Sequence, residues 1–282
     1  MAHIAYLGTG LLGSAFVEAA LGRGDRVTVW NRTRDKLAPL VALGATAADS
    51  PADAVRGAER VHVVLRDDAS VDDVLHAARA GLAPTTIIVD HTTNQPALTK
   101  ARAMRLEADA VAYLHCPVFI GPVMARQGQG TILACGPTAR FEAVRPALQQ
   151  QASRVEYLGE RPDAAATLKL CGNAFIVGVT ALISDALSVG RGGGLSPDAV
   201  LALFEYFNPA GQVASRGRKI AARDFAATFE LAMARKDVRL MLETAGDAPL
   251  AVLPGVAARM DALLAAGHGH DDLAVLGRDA TS

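Results

Sequence analysis

Short runs of β-branched and apolar residues alternate with longer alanine-rich stretches over the first 160 residues of the chain. The stretches between the runs predict helices, for example over 11–23, 34–43, 70–81 and 95–108. Strands that alternate with helices are typical of a mostly parallel sheet with helices on both faces. The runs that predict strands are HIAYLG, RVTVWN, RVHVVLR, TTIIVDHT, AYLHCPV, GTILACG and VEYLG.

The strand pattern ends near Pro162, and the rest of the chain is patterned as helices. The helical pattern is interrupted at Gly192–Pro197, Asn208–Gly211 and Gly246–Pro254. The sequence therefore predicts an α/β domain over 1–160 and an all-α domain over 161–282. The second domain begins with a long apolar helix that links the two.

A glycine-rich segment, IAYLGTGLLGSAF, joins the first predicted strand to the first predicted helix. Gly8, Gly10 and Gly13 have the G-x-G-x-x-G spacing of a dinucleotide-binding turn. In that turn the first glycine allows a tight bend, the second lets a pyrophosphate approach the backbone, and the third lets helix and strand pack closely. The sequence therefore predicts a Rossmann-type domain whose turn, with Thr9, Leu11 and Leu12, contacts a dinucleotide.

The second predicted strand ends in Asn31, Arg32 and Thr33, where an NAD site usually places an acidic residue for the ribose 2′-hydroxyl. A guanidinium group with small polar neighbours suits a 2′-phosphate instead, because a carboxylate would repel it. We therefore expect NADP(H) as the cofactor. The loop after the strand RVHVVLR, with Leu65 and Arg66, is expected to pass near the nicotinamide ribose.

Composition narrows the class of protein further. The chain has 282 residues, of which 51% are hydrophobic, and a formal net charge of −1, which gives no general attraction to nucleic acid or to an anionic membrane. Its three cysteines form no CxxC motif, which favours reduced thiols. The N-terminus starts directly with a strand pattern rather than a signal peptide. We expect a cytoplasmic enzyme that binds small molecules, with neither a nucleic-acid nor a membrane partner.

The long apolar helix contains Lys169 and Asn173 four residues apart, so both side chains share one face. A lysine that is partly removed from water has a lowered pKa and can exchange a proton with an alcohol or a carbonyl. A lysine that reaches solvent at the end of the helix explains the pattern equally well. Together with Asp185, these polar residues make the helix a poor membrane span.

Four motifs occur in order along nearly the whole chain: GTGLLG, DHTTNQP, LKLCGN and KDVRL. With them the chain resembles the β-hydroxyacid dehydrogenase family, which includes 3-hydroxyisobutyrate, tartronate semialdehyde and glyoxylate/succinic semialdehyde reductases. The resemblance implies that Lys169 is the general acid/base and that Asn173 assists at the substrate. It further implies that Thr93 lies near substrate and nicotinamide, that Lys236 closes over the cofactor, and that the helical domain forms a homodimer.

One segment departs from that family. Where the family usually has Ser-Gly-Gly to hold the substrate carboxylate, this chain has Phe119, Ile120 and Gly121, followed by Pro122. The hydroxyl is lost, and proline removes a backbone donor. A small hydroxy acid or semialdehyde remains the expected substrate class, but a larger or more apolar carbonyl compound is also possible.

The sequence leaves two alternative functions open, and one histidine-containing segment is not interpreted as a site. The related imine reductases share NADPH and have apolar substrate pockets, but commonly carry Asp or Tyr at the position of Lys169, so the lysine favours alcohol and carbonyl chemistry. A non-catalytic NADP-binding module is the second alternative. The segment GHGHDD, with His268 and His270, is interpreted as solvated rather than as a metal site, and no metal is expected.

Overall fold

The alternating pattern forms an α/β unit in the computed structural model, which describes residues 2–281. Its strands are β1 His3–Leu7, β2 Arg26–Trp30, β3 Thr46–Ala47, β4 Arg60–Val63, β5 Ile87–Asp90, β6 Ala112–His115, β7 Val118–Phe119, β8 Thr131–Ala134 and β9 Arg154–Tyr157. Its helices are α1 Leu11–Gly22, α2 Ala38–Ala42, α3 Pro51–Val55, α4 Asp68–Ala78, α5 Pro96–Ala108, α6 Pro122–Arg126 and α7 Thr138–Gln149.

The first six strands form one parallel sheet in the order β3-β2-β1-β4-β5-β6. Two apolar clusters cover its faces: one surrounds Phe16 and Val29, and the other surrounds Val61 and Val74. The strand order reverses between β1 and β4, and in such sheets ligands bind beyond the carboxyl ends of the strands at that point. The predicted Rossmann-type α/β fold is confirmed.

A second, three-stranded sheet follows, in the order β7-β8-β9. Strand β7 is antiparallel to β8, and β8 is parallel to β9. The runs GTILACG and VEYLG therefore form strands as predicted but do not extend the main sheet. Pro117 and Pro122 flank β7, and neither can donate a backbone hydrogen bond to a longer strand.

The long linking helix, α8, covers Ala164–Gly192. The chain divides into two compact units, Met1–Asn173 and Ala174–Ser282, and this division falls within α8. By length and composition alone α8 could cross a membrane, since an 18-residue window within it has a mean hydropathy of 1.7. Only 6% of that window is buried, and Phe175 is 58% exposed.

The second unit is helical, as predicted. Beyond α8 its helices are α9 Pro197–Ala202, α10 Ala210–Ala222, α11 Leu231–Ala245 and α12 Leu253–Ala265. Leu231 and Met260 belong to its apolar core. The fully buried Asp185 accepts hydrogen bonds from the backbone N–H groups of Ala251, Val252 and Leu253 at 2.7–2.9 Å, which satisfies the start of α12.

Candidate active site

A cavity of about 930 Å³ opens beside the carboxyl ends of β1, β2, β4 and β5 in the first unit. Thirteen of the residues predicted to form a site line it: Gly8, Gly10, Leu11, Leu12, Gly13, Asn31, Arg32, Thr33, Leu65, Arg66, Thr93, Ile120 and Lys169. Thr9, Phe119, Gly121 and Asn173 are not among its lining residues. Lys236 lies on α11 in the second unit, 2.9 Å from the carboxylate of Asp237.

The glycine-rich turn has the geometry that its spacing predicts. Gly8 has φ +101°, and a Cβ there would lie 2.2 Å from the carbonyl oxygen of Val64. A Cβ on Gly13 would lie 2.2 Å from the carbonyl oxygen of Gly8, whereas a Cβ on Gly10 would meet nothing within 4 Å. Gly10 caps α1 without a side chain, so the first N–H groups of this helix are available to an anion in the cavity.

Asn31 connects the end of β2 to the glycine-rich turn. Its Oδ1 accepts a hydrogen bond from the backbone N–H of Thr9 at 3.2 Å, and its Nδ2 donates to the carbonyl oxygen of Thr33 at 2.9 Å. Both ends of the amide are therefore used within the protein. The Asn31 side chain therefore stabilises the shape of the turn rather than binding a ligand directly.

Cations suited to a 2′-phosphate lie just beyond Asn31. Arg32 and Lys36 are both exposed and both line the cavity. The neighbouring Arg34 does not line it, because its guanidinium is paired with Asp49, which raises the pKa of Arg34. The residues present therefore fit a nicotinamide dinucleotide, because the start of α1 at Gly10 suits a pyrophosphate and Arg32 and Lys36 offer positive charge in the same cavity.

The loop after β5 carries Thr93 and is held by buried polar contacts. Asp90 Oδ1 accepts from the backbone N–H of Thr92 at 2.9 Å, and Asp90 Oδ2 accepts from Asn94 Nδ2 at 2.9 Å and from the hydroxyl of Tyr113 at 2.8 Å. The Thr92 hydroxyl accepts from the backbone N–H of Leu65 at 3.0 Å. These bonds leave Thr93 exposed in the cavity.

Arg102, on α5, is fully buried behind this loop. Its Nε donates to Asp72 and its Nη2 donates to Asp68, each at 2.8 Å, and its Nη1 lies 3.9 Å from Asp90 Oδ2. Asp68 also accepts from the backbone N–H of Gln95 at 2.8 Å. One guanidinium therefore ties the start of α4 to the loop that presents Thr93.

A chain of neutral histidines lies beneath the same loop. His91 Nδ1 is 2.7 Å from the carbonyl oxygen of Cys116, so that nitrogen carries the proton, and His91 Nε2 accepts from His62 Nδ1 at 2.9 Å. Burial lowers the pKa of His91 to about 4 and the pKa of His62 well below its usual value. Burial also lowers the pKa of His115, whose Nε2 donates to the carbonyl oxygen of Thr92 at 3.0 Å.

Lys169 lines the other side of the cavity and is only 8% exposed. Burial lowers its pKa. Its Nζ lies 4.1 Å from the centroid of the Phe119 ring. A lysine in this setting releases its proton more easily than one in water.

Several lining residues were not predicted from the sequence, notably Trp30, Lys36, Asp73 and His91. Lys36 could have been found, because it lies close after Arg32 in the helix predicted over 34–43. His91 is both buried and in contact with the cavity. Within residues 2–281, no group of three His, Cys, Asp or Glu side chains could hold a metal ion.

Two protein-family models match the chain. The model described as the NAD-binding domain of 6-phosphogluconate dehydrogenase matches residues 3–159, more than half of the chain. The model described as the NAD-binding domain of NADP-dependent 3-hydroxyisobutyrate dehydrogenase matches residues 163–278. The two matches meet near residue 160, where the strand pattern ends.

Characterised relatives are similar over most of their length. Glyoxylate/succinic semialdehyde reductase 1 of Arabidopsis thaliana is 28% identical over 92% of this chain and 91% of its own. The 3-hydroxyisobutyrate dehydrogenase of Pseudomonas aeruginosa is 29% identical over 87% of this chain and 86% of its own. These similarities agree with the family to which the four sequence motifs pointed.

Among solved structures, the imine reductase of Myxococcus stipitatus in complex with NADP⁺ is similar with a TM-score of 0.89. It is 25% identical, and the match covers 98% of this chain and 99% of that one. The chain is therefore an oxidoreductase of the hydroxyacid dehydrogenase or imine reductase type, built to use a nicotinamide dinucleotide. It belongs to the β-hydroxyacid dehydrogenase family, to which the imine reductases are related.

Proposed function

We propose that this protein transfers a hydride between NADP(H) and the carbonyl or hydroxyl carbon of a small hydroxy acid or semialdehyde-like substrate, with Lys169 as the general acid/base. The observation that carries this proposal is that Lys169 lines the same cavity as the glycine-rich turn while being only 8% exposed. The proposed proton-transferring group and the proposed cofactor-binding groups therefore line one cavity.

The residues of the chain position the substrate and transfer the proton. In the reducing direction the Lys169 ammonium donates a proton to the substrate oxygen, and in the oxidising direction the neutral amine takes the proton back. Burial lowers the pKa of Lys169, which favours release of its proton to the substrate oxygen. The bound nicotinamide supplies or accepts the hydride. Thr93 faces the same space and is a candidate to contact the substrate oxygen. For Asn173 and Lys236, the roles implied by the family resemblance remain predictions.

The first experiment follows NADPH oxidation with glyoxylate, succinic semialdehyde, methylmalonate semialdehyde, several bulkier ketones and aldehydes, and two cyclic imines. Lys169→Met should lower kcat by about 10²–10⁴-fold, the usual contribution of a general acid. Lys100→Met, which removes an exposed lysine from the same unit, is the matched control and should leave kcat unchanged.

A measurement of NADPH binding distinguishes a variant that has lost proton transfer from one that has lost its folded structure. Trp30 is the single tryptophan of the chain and lines the cavity, so its fluorescence reports NADPH directly. Lys169→Met should bind NADPH with an unchanged Kd. Aldehyde turnover that survives this substitution would contradict the assigned role of Lys169.

Imine reduction is the second candidate function. It is favoured by the apolar Ile120 in the cavity wall and by the likeness to the M. stipitatus imine reductase. Turnover confined to the cyclic imines, or turnover of imines that does not need Lys169, would move the protein to that activity.

We also propose that the protein is a homodimer and that a second copy covers the apolar face of α8. The exposed side chains on this face include Phe175, Ile176, Val179 and Leu182. Lys169 lines the cavity of the first unit, and Asp185 accepts a hydrogen bond from the start of α12. Both side chains would be costly to place within a bilayer, so a protein partner suits the apolar face of this helix better than lipid. Light scattering after size exclusion should give twice the chain mass of 29.3 kDa, and Phe175→Asp should shift it towards the monomer. A monomeric wild type would contradict the proposal.

A further inference from the structure

Phe119 lies behind the cavity wall, against the first turns of α8. It is the last residue of β7, and its ring packs against Leu133, Cys135 and Ala165. The Lys169 Nζ sits 4.1 Å from the ring centroid. A cation over an aromatic face is attracted by the ring quadrupole, and the attraction is stronger where water is excluded.

Gly172 makes room for this ring. A Cβ at position 172 would lie 2.2 Å from Cζ and 2.6 Å from Cε1 of Phe119, distances at which the ring would have to move. Glycine inside a helix costs about 1 kcal/mol relative to alanine. In a helix as rich in alanine as α8, the ring of Phe119 is a physical reason for glycine at this position.

We propose that Phe119 is a positioning residue that holds the Lys169 ammonium against its ring face, and that Gly172 leaves room for the ring. We call this arrangement of Phe119, Lys169 and Gly172 the lysine seat. The inference rests on the proposed function only in that Lys169 is the proton-transferring group. The seat itself is a property of the folded chain.

The lysine seat can be tested without turnover. The chain has five lysines, at positions 36, 100, 169, 219 and 236, so ¹³C-methylated lysines should give few signals, and Lys169→Arg identifies the one from Lys169. Phe119→Leu keeps an apolar side chain but removes the aromatic face. In this variant the titration midpoint of Lys169 should move to lower pH, because the ammonium loses its attraction to the ring. An unchanged midpoint would overturn the inference.

A double-variant cycle tests the fit of ring and helix. Gly172→Ala alone should lower Tm, and adding Phe119→Leu should recover part of the loss, since the shorter side chain no longer reaches the new methyl group. Gly22→Ala is the control, because a Cβ at that helical position meets nothing within 4 Å. Strictly additive effects of Gly172→Ala and Phe119→Leu would also overturn the inference.

A protein that moves its Lys169 midpoint as expected, yet reduces no carbonyl compound, would refute the proposed function and leave the lysine seat supported.

Discussion

The cavity has two walls of opposite construction. The polar wall consists of the loop Asp90–Gln95 and the start of α4, joined by Arg102, and nearly every buried carboxylate oxygen in it accepts a hydrogen bond. The apolar wall consists of Val118 and Ile120, with Phe119 behind them. The polar wall fixes one geometry, because a displaced charge there would be left unpaired. The apolar wall offers a ligand no charged or hydrogen-bonding side chain.

Removal of the cation at the centre of the polar wall should have the largest effect on stability. Arg102→Met leaves Asp68, Asp72 and Asp90 without their buried partner, and we expect a loss of about 3–5 kcal/mol in the free energy of unfolding. Denaturation followed by Trp30 fluorescence measures it.

Arg105→Met provides the matched control. Arg105 lies on the same helix and binds the same Asp72, but its side chain is 55% exposed. Its replacement should cost at most about 1 kcal/mol, as for other exposed ion pairs. Equal losses in the two variants would show that the polar wall is not held by its buried charge.

The histidines beneath the polar wall predict a loss of stability in acid. Burial lowers the pKa of His62, His91 and His115, so the folded protein binds fewer protons than the unfolded chain below the ordinary histidine pKa of about 6.5. Stability is therefore complete above that pH and falls as the pH drops towards 4, by up to about 1.4 kcal/mol per pH unit for each histidine.

The measurement is chemical denaturation at a series of pH values between about 7.5 and 5. His62→Gln should reduce the slope, whereas His76→Gln, an exposed position on α4, should not. A slope that does not respond to His62 would mean that these histidines are charged in the folded protein.

The glycine-rich turn allows packing and binding to be separated. Gly13→Ala places a methyl group 2.2 Å from a backbone oxygen and should cost about 1–3 kcal/mol of stability. Gly10→Ala meets nothing within 4 Å and should change stability by less than about 1 kcal/mol, yet weaken NADPH binding at least tenfold because it obstructs the pyrophosphate. The reverse pattern, a stable Gly13 variant and an unstable Gly10 variant, would contradict the geometry of the turn.

The parts of the cavity also differ in how far the sequence predicts them. The glycine spacing and the strand that follows it were enough to place Gly8 and Gly13, because a positive φ at Gly8 and a close backbone approach at Gly13 restrict these two positions to glycine. The alternation of strands and helices likewise predicted the parallel sheet and the helical second half. Features of the fold that depend on a short local pattern of residues can therefore be predicted from the sequence.

Contacts between distant segments are harder to infer. Arg102 is separated from Asp68 by 34 residues and from Asp90 by 12, and an arginine on a helix is usually exposed, so nothing local indicates that it is buried. The second sheet was missed because β8 and β9 have the same alternation as strands of the main sheet. The direction in which Phe119 points depends on Gly172, 53 positions later, and only the folded chain brings them together.

The smallest effect is expected on cofactor affinity, for a substitution at the solvent-exposed edge of the cavity. Arg32 is exposed and lines the cavity, so Arg32→Gln should weaken NADP⁺ binding about tenfold and leave NAD⁺ binding nearly unchanged, because only NADP⁺ carries the 2′-phosphate. Arg34→Gln is the control, since Arg34 is paired with Asp49 and should change neither affinity. Titration of Trp30 fluorescence with each cofactor gives the four dissociation constants. If Arg32→Gln weakens both cofactors equally, the guanidinium contacts a part that they share, and the expected preference for NADP⁺ over NAD⁺ loses its structural basis.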